Sequence, residues 1–295
     1  MITSRKQKIN GLNSAKDAPE ISPGAETIII KASNKWRTLD LKSLWAYREL
    51  FYFLALRDVK VRYKQTFLGV AWVLLQPLAT TAVFTVLFSR FGQTENLGVA
   101  YPLFAFSGFV LWSFVNSAVT TASNSLINHT GLITKVYFPR LAVPMAAVAA
   151  NLLDLAIGLL SLTAAMLVFG ASLTWKIIFA PFFLLLIIIL SIAAGVLFSA
   201  LNVQFRDVKQ LLPFFLQLWF FVTPVFYSTR LLPENFAWIW QLNPMTGALE
   251  GFRAAIFGQE FNFAAILFSV AITLGVFVLS LYVFRRMEDN FADII

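Results

Sequence analysis

Long apolar runs alternating with short polar segments set the pattern of this chain. Six of them, 67–91, 101–127, 140–170, 177–202, 211–229 and 261–284, reach the roughly 18–20 residues that a helix needs to cross a bilayer. In hydrocarbon a backbone must satisfy its own polar groups, so runs of this length are helices. The expected fold is an all-α integral membrane protein with six transmembrane helices. Polar and aromatic residues recur inside the runs at helical spacing. Trp72, Gln76, Thr80, Phe84 and Phe88 share one face of the first run, and Phe109, Trp112, Asn116, Thr120 and Ser123 one face of the second. Asn151, Asp154, Gly158 and Ser161 do the same in the third. In the fourth, Ser191, Gly195 and Ser199 make a ridge of small residues that lets two helices approach closely. Polar stripes inside a membrane face protein or water, since facing lipid leaves them unsatisfied. They serve either helix–helix hydrogen bonding or a translocation path. Asp154 is the one acid inside a run. A hydrogen-bonded structural role, paired with Asn151, is expected of it, with a proton relay as the alternative.

The segments outside the runs differ in kind. Residues 1–39 mix Lys, Ser, Asn, Pro and Gly around the short apolar Ile28, Ile29 and Ile30, a composition that buries little surface and predicts a flexible tail. Residues 40–66 place Leu50 to Leu56 directly before Arg57, Asp58, Lys60, Arg62 and Lys64. That pattern predicts an amphipathic helix at the membrane interface, or a basic anchor with no further task. The segment 230–260 is broken by Pro233 and Pro244, carries Trp238 and Trp240, and aligns Leu249, Phe252, Ile256 and Phe257 on one face. It predicts two short re-entrant helices before the last span, their backbone covered by protein.

Charge then orients the chain. With the first residue inside and six crossings, 19 of the 23 Lys and Arg fall on the inner side, which predicts both termini, including the tail 285–295, in the cytoplasm. The remaining four are Arg90, Lys176, Arg230 and Arg253. Charge confined to membrane edges is a poor nucleic-acid surface, so no nucleic-acid partner is expected. A hydrophobic content of 59% with only 13% charged residues and a mean hydropathy of +0.74 agree with a polytopic membrane protein. The polar first 40 residues contain no apolar signal region, so the first span is expected to direct insertion itself.

Several chemistries lack their residues. There is no cysteine and a single histidine, His129, so no metal site is expected. No G-x-x-x-x-G-K-[ST] phosphate loop, H-E-x-x-H or G-x-S-x-G occurs. The chain is expected not to be an enzyme and to hold no cofactor, with a partner supplying the energy for any work it does.

Three blocks carry a resemblance. LWAYRELFYFLALRDVKVRYKQTFLGVAWVLLQPL (44–78), NVQFRDV (202–208) leading into LLPFFLQLWFFVTPVFY (211–227), and NPMTGALEGFRAAIFG (243–258) resemble, in order and spacing, the type-2 ABC exporter permeases that move polysaccharides. The O-antigen exporters are the nearest in pattern, with capsule and teichoic acid permeases as neighbours.

The resemblance implies a half-transporter: two copies of a six-span permease with two separate ABC ATPase subunits, which bind ATP and Mg. It implies a polysaccharide on an undecaprenyl diphosphate lipid as substrate, moved across the bacterial inner membrane from cytoplasm to periplasm through a pore between the permeases. ATPase contacts would then fall on Arg57, Asp58, Lys60 and Arg62, on Thr134, Lys135, Val136 and Tyr137 of the first cytoplasmic loop, and on Arg206 and Asp207 of the second. Trp238, Trp240, Asn243, Pro244, Glu250 and Arg253 would form a periplasmic gate. Sugars have apolar faces and hydroxyl edges, so aromatic rings with interspersed amides suit a sliding path. Trp72, Gln76, Phe109, Trp112, Asn116, Phe214, Gln217 and Phe221 are the expected lining. Some of Arg57, Lys60, Arg62 and Lys64 are candidates for the lipid diphosphate. A drug or lipid exporter of the same superfamily is the alternative. A secondary transporter would need more coupling acids than Asp154 and a repeat between its halves, and a membrane enzyme would need a polar cluster that the runs lack.

Overall fold

The computed structural model describes residues 45–64, 71–90, 98–136, 138–171, 174–205, 207–229, 237–288 and 291. The tail expected over 1–39 lies outside the described residues, as do Tyr137, Arg206 and the side chain of Trp238. Every regular element described is helical: α1 (Arg48–Lys64), α2 (Ala71–Arg90), α3 (Tyr101–Asn128), the single turn α4 (Thr130–Ile133), α5 (Ala142–Val168), a 3₁₀ turn (Trp175–Phe179), α6 (Ala180–Gln204), α7 (Val208–Val222), α8 (Ala237–Leu242), α9 (Pro244–Phe257) and α10 (Phe263–Glu288). Among the described residues five helical segments are long and apolar enough to cross a membrane, namely α2, α3, α5, α6 with its preceding turn, and α10. A sixth, α7, is apolar but shorter.

Helix α3 is the centre of the bundle. It packs on α5 along one side and on α6 along another, while α6 also carries α10 and α9. Small residues set these distances. Gly195 of α6 lies so close to α3 that an added Cβ would come within 2.7 Å of the Ala122 methyl, and Gly158 of α5 sits equally close to Val110 of α3. The ridge expected on the fourth run is thus a packing surface, with Ser191 and Ser199 fully buried beside Gly195. Between α3 and α6, Asn202 donates to the Ser123 carbonyl at 2.9 Å.

Two apolar clusters hold the bundle. One runs along most of α3, from Tyr101 to Ala122, and joins it to α5, α6, α7 and α9. The other gathers Leu54 of α1, Leu126, Ile133, Phe138, Leu141, Phe284 and Phe291 at the end where α3 meets the loop to α5. There the Arg140 guanidinium donates to the Glu288 carbonyl, and Arg285 pairs with the Glu288 carboxylate at 2.8 Å. The chain's last described residues therefore close onto the loop between α3 and α5.

The fifth run departs from its expected bounds. The apolar pattern predicts helix to residue 229, but α7 ends at Val222, and Thr223 turns extended at φ −88° and ψ 133°. Pro224 is the physical reason: its ring clashes with a helical residue before it and it has no N–H to continue the ladder. The 15 residues of α7 rise only about 22 Å, short of the roughly 30 Å hydrocarbon core.

Candidate functional site

A helix that stops inside an apolar bundle leaves carbonyls without partners, and here the segment before the last helix supplies them. Arg253 of α9 donates from Nη1 to the Pro224 carbonyl at 2.7 Å and from Nη2 to that of Val225 at 2.5 Å. The same Nη2 reaches the Phe104 carbonyl at 3.0 Å, and Nε reaches Ser107 Oγ at 3.2 Å. The guanidinium also lies 3.6 Å from the centre of the Phe104 ring, and the residue is 2% exposed. Tyr101 completes the set, donating to the Phe226 carbonyl at 2.8 Å. Gly108 leaves the space: any side chain there would strike the Val225 carbonyl and the Arg253 guanidinium.

Asn243 holds the other side of the break. Its carbonyl oxygen caps α9 by accepting from the Met245 N–H at 3.0 Å and also accepts from Trp219 Nε1 at 2.9 Å. Its amide donates to Thr223 Oγ1 at 2.9 Å. Pro244 then opens the helix where no N–H is required, and Gly258 closes it at φ 72°. Trp240 donates to the Tyr227 hydroxyl at 3.0 Å, which donates on to the Phe221 carbonyl at 2.9 Å. Glu250 accepts from Thr229 and borders a cavity of about 310 Å³ with Phe104, Gln259 and Phe261. Of the expected gate residues, Trp240, Asn243, Glu250 and Arg253 are brought together around the broken end of α7, with Pro244 beside them.

At the opposite end α1 lies along α5. Arg57 pairs with Asp58 at 2.9 Å, and Asp58 lies 3.8 Å from His129 Nε2 at the end of α3. Lys60, Thr134, Lys135, Val136 and Asp207 are exposed. Arg62 instead points between helices, donating from Nη1 to Asp154 at 2.5 Å and to Asn151 Oδ1 at 2.8 Å. Tyr63 donates its hydroxyl to the same Asp154, and burial, helped by that carboxylate, raises the phenol above its ordinary range. Asn151, fully buried, accepts from Ser117 at 2.7 Å and donates to Thr121 Oγ1 at 2.8 Å. The expected Asn151–Asp154 pair is corrected: the two do not bond each other but share Arg62. The guanidinium, a charged fork, is the better partner for an acid in apolar surroundings.

The expected lining divides. Phe109 and Trp112 are 4% and 8% exposed; Phe109 lies against Phe84 and Phe220, and Trp112 edge-on to Trp219. They build an aromatic wall inside the bundle. Trp72, Phe214 and Phe221 are more than half exposed, Gln76 and Gln217 are exposed with them, and Asn116 is half-buried. Among the described residues no three His, Asp or Glu side chains gather as a metal site requires.

The family model of the ABC-2 type transporters matches residues 49–257. The chain belongs to that family. The permease is similar to the O-antigen export system permease protein RfbA of Myxococcus xanthus, at 27% identity over 256 residues, 86% of this chain and 98% of that protein. A protein of the same name from Klebsiella pneumoniae is 27% identical over 251 residues, 84% and 95% of the two chains. The polysialic acid transport protein KpsM of Escherichia coli is 23% identical over 256 residues, 80% and 92% of the two.

Tyr63, Tyr101, Ser107, Trp219 and Thr223 were not among the residues expected in the permease's sites. Thr223-Pro224 carried a usable signal, since a residue before proline is biased out of the helix. The others reach partners in distant parts of the chain, which spacing along one helix does not reveal.

Proposed function

We propose that this permease is the transmembrane subunit of an ATP-driven exporter that moves an undecaprenyl-diphosphate-linked polysaccharide, of the O-antigen type, from cytoplasm to periplasm. Two copies form the pore and two separate ABC ATPase subunits, with ATP and Mg, supply the energy. It crosses the bacterial inner membrane six times, α7 and the turns that follow it making the fifth crossing, with both termini cytoplasmic. The observation that carries this reading is the nearly end-to-end similarity to an O-antigen export permease, on a fold of membrane-spanning helices. The exposed aromatic and amide side chains Trp72 and Gln76 on α2 and Phe214, Gln217 and Phe221 on α7 support a glycan path, to which the half-buried Asn116 of α3 contributes. Phe109 and Trp112 support that path from behind.

The α1 end, with Lys60, Thr134, Lys135, Val136 and Asp207 exposed, is the ATPase-facing side, and Arg57 and Asp58 brace it. Tyr137 and Arg206 complete it by sequence. Val136 is 51% exposed, an apolar side chain suited to a protein partner. Lys60 and Lys64 face outward and are the better candidates for a lipid diphosphate than Arg62, which is engaged by Asp154. At the other end Trp238, Trp240, Asn243, Pro244, Glu250 and Arg253 form the periplasmic gate.

Deleting the permease in its native host tests the reading. The surface glycan disappears, undecaprenyl-linked glycan accumulates on the cytoplasmic face, and the plasmid-borne chain reverses both. An unchanged surface glycan contradicts it. The likeness to the polysialic acid transport protein favours capsule as the second reading, and the identity of the missing glycan separates the two.

A further inference from the structure

An acid inside a span is costly unless it is paired, and Asp154 is paired with a residue from outside the spans. Arg62 and Tyr63, successive residues near the end of α1, both reach it. Eight residues earlier, Leu54 shares an apolar cluster with Leu126, Ile133 and Phe138 of the loop side. Helix α1 is therefore fixed at two levels: by apolar packing near the ATPase-facing surface and by an ion pair deeper in the bundle. Asp154 is about 18 Å along α5 from its first residue, at 1.5 Å per residue. Asn151 then carries the connection sideways, because it accepts from both Arg62 and Ser117 and donates to Thr121. Ser117 and Thr121 belong to α3, the central helix. About 15 Å further along that helix, Ser107 and Phe104 hold Arg253 of α9.

We propose that Arg62 and Asp154 are positioning residues for transport: a strut that carries displacement of α1 through Asn151 to α3, and along α3 to the Arg253 clamp at the periplasmic helices. The inference rests on the export function proposed above. Its physical basis is a contiguous set of bonded groups joined by one rigid helix. Apolar packing lets helices slide, whereas a buried ion pair resists separation because each charge is left uncompensated without the other. Asp154 acts here as the partner that holds Arg62 and Tyr63. Arg62 acts through Asp154 rather than by touching substrate.

The chain has no cysteine of its own, so two can be placed cleanly. The test uses the permease with its co-purified ATPase in inverted membrane vesicles, reading ATP hydrolysis and ATP-dependent uptake of undecaprenyl-linked glycan side by side. Asp154→Asn, nearly identical in shape, is expected to assemble and hydrolyse ATP near the wild-type rate. Its export falls roughly tenfold or more, the scale typical of coupling between sites. Arg62→Gln loses export to a similar extent, and Arg62→Lys restores part of it. In the Arg62→Cys/Asp154→Cys chain export is lost, returns when a short bis-methanethiosulfonate linker joins the two thiols, and is lost again on reduction. Three results overturn the inference: hydrolysis and export falling together in Asp154→Asn, export unchanged in that variant, or no return of export in the linked chain. If wild-type vesicles take up no glycan while hydrolysing ATP, the export reading itself fails, which is a distinct outcome.

Discussion

Arg253 and Val225, 28 residues apart, are joined by a 2.5 Å hydrogen bond from guanidinium to backbone carbonyl. This contact explains how α7 stops partway through an apolar bundle. The carbonyls of Pro224 and Val225 find in one side chain the donors that a continuing helix would have supplied, and that side chain comes from the helix that follows the break.

Replacing Arg253 by Met removes those donors and leaves the buried Pro224 and Val225 carbonyls short of partners, at about 1–3 kcal/mol for each group left unsatisfied, while the Phe104 carbonyl keeps Ser107 Oγ at 2.7 Å. The variant is expected to lose its monodisperse peak in detergent at a clearly lower temperature than the wild type. Arg253→Lys is expected to fail similarly, because a single ammonium does not span the acceptors that a planar fork reaches.

Asn243 makes three bonds and its variants separate them. Asn243→Asp keeps the cap on Met245 and the acceptor for Trp219 but loses the donor to Thr223. Asn243→Leu loses all three. Cap loss alone costs about 0.5–2 kcal/mol, so thermal stability is expected to fall in the order wild type, Asn243→Asp, Asn243→Leu. Equal stability of the two variants would remove the cap and the Trp219 bond from the account.

Gly195 and Ala122 test the closeness of α3 and α6. Gly195→Ala places a methyl within 2.7 Å of the Ala122 methyl and is expected to destabilise by about 1–3 kcal/mol, as overpacked cores do. Ala122→Gly opens the space, so the double variant recovers part of the loss. The measure is the interaction energy of the cycle, with contacting residues giving values of about 0.5–3 kcal/mol.

The exposed and buried aromatics are expected to respond differently. Leu at Trp72, Gln76, Phe214, Gln217 or Phe221, taken in pairs, leaves folding and ATPase assembly intact and lowers export severalfold. Phe109→Ala or Trp112→Ala empties the wall against Phe220 and Trp219 and costs about 3–5 kcal/mol of stability. Export measured against the amount of folded protein separates the two groups.

The bundle was legible because length and apolarity are local properties. Observed helices such as Ala142–Val168 and Phe263–Glu288 fall within a few residues of the runs that predicted them. The small-residue ridge on α6 and the two short helices before α10 were also readable, from spacing and from Pro244. What was not readable is which face meets which. The stripe Trp72, Gln76, Thr80, Phe84 and Phe88 is one face of a helix by periodicity, yet its first two residues are exposed while Phe84 and Phe88 pack on Phe226. Periodicity assigns a face but not its neighbour. The pairing of Arg62 with Asp154, 92 residues away, belongs to the same class: a basic residue before a span suggests lipid or a partner protein, and only the packing of α1 along α5 turns it inward.

A glycan exporter without a phosphate loop of its own needs a separate ATPase bound to it. Affinity purification from the native host in mild detergent, with mass spectrometry of the accompanying proteins and an ATPase assay on the complex, tests it most directly. The account predicts a roughly stoichiometric subunit carrying a phosphate loop, hydrolysing ATP in the complex and lost when the exposed loop residues Thr134, Lys135 and Val136 are replaced by Asp. A permease that purifies without any nucleotide-binding subunit, under conditions that keep other membrane complexes together, would contradict it.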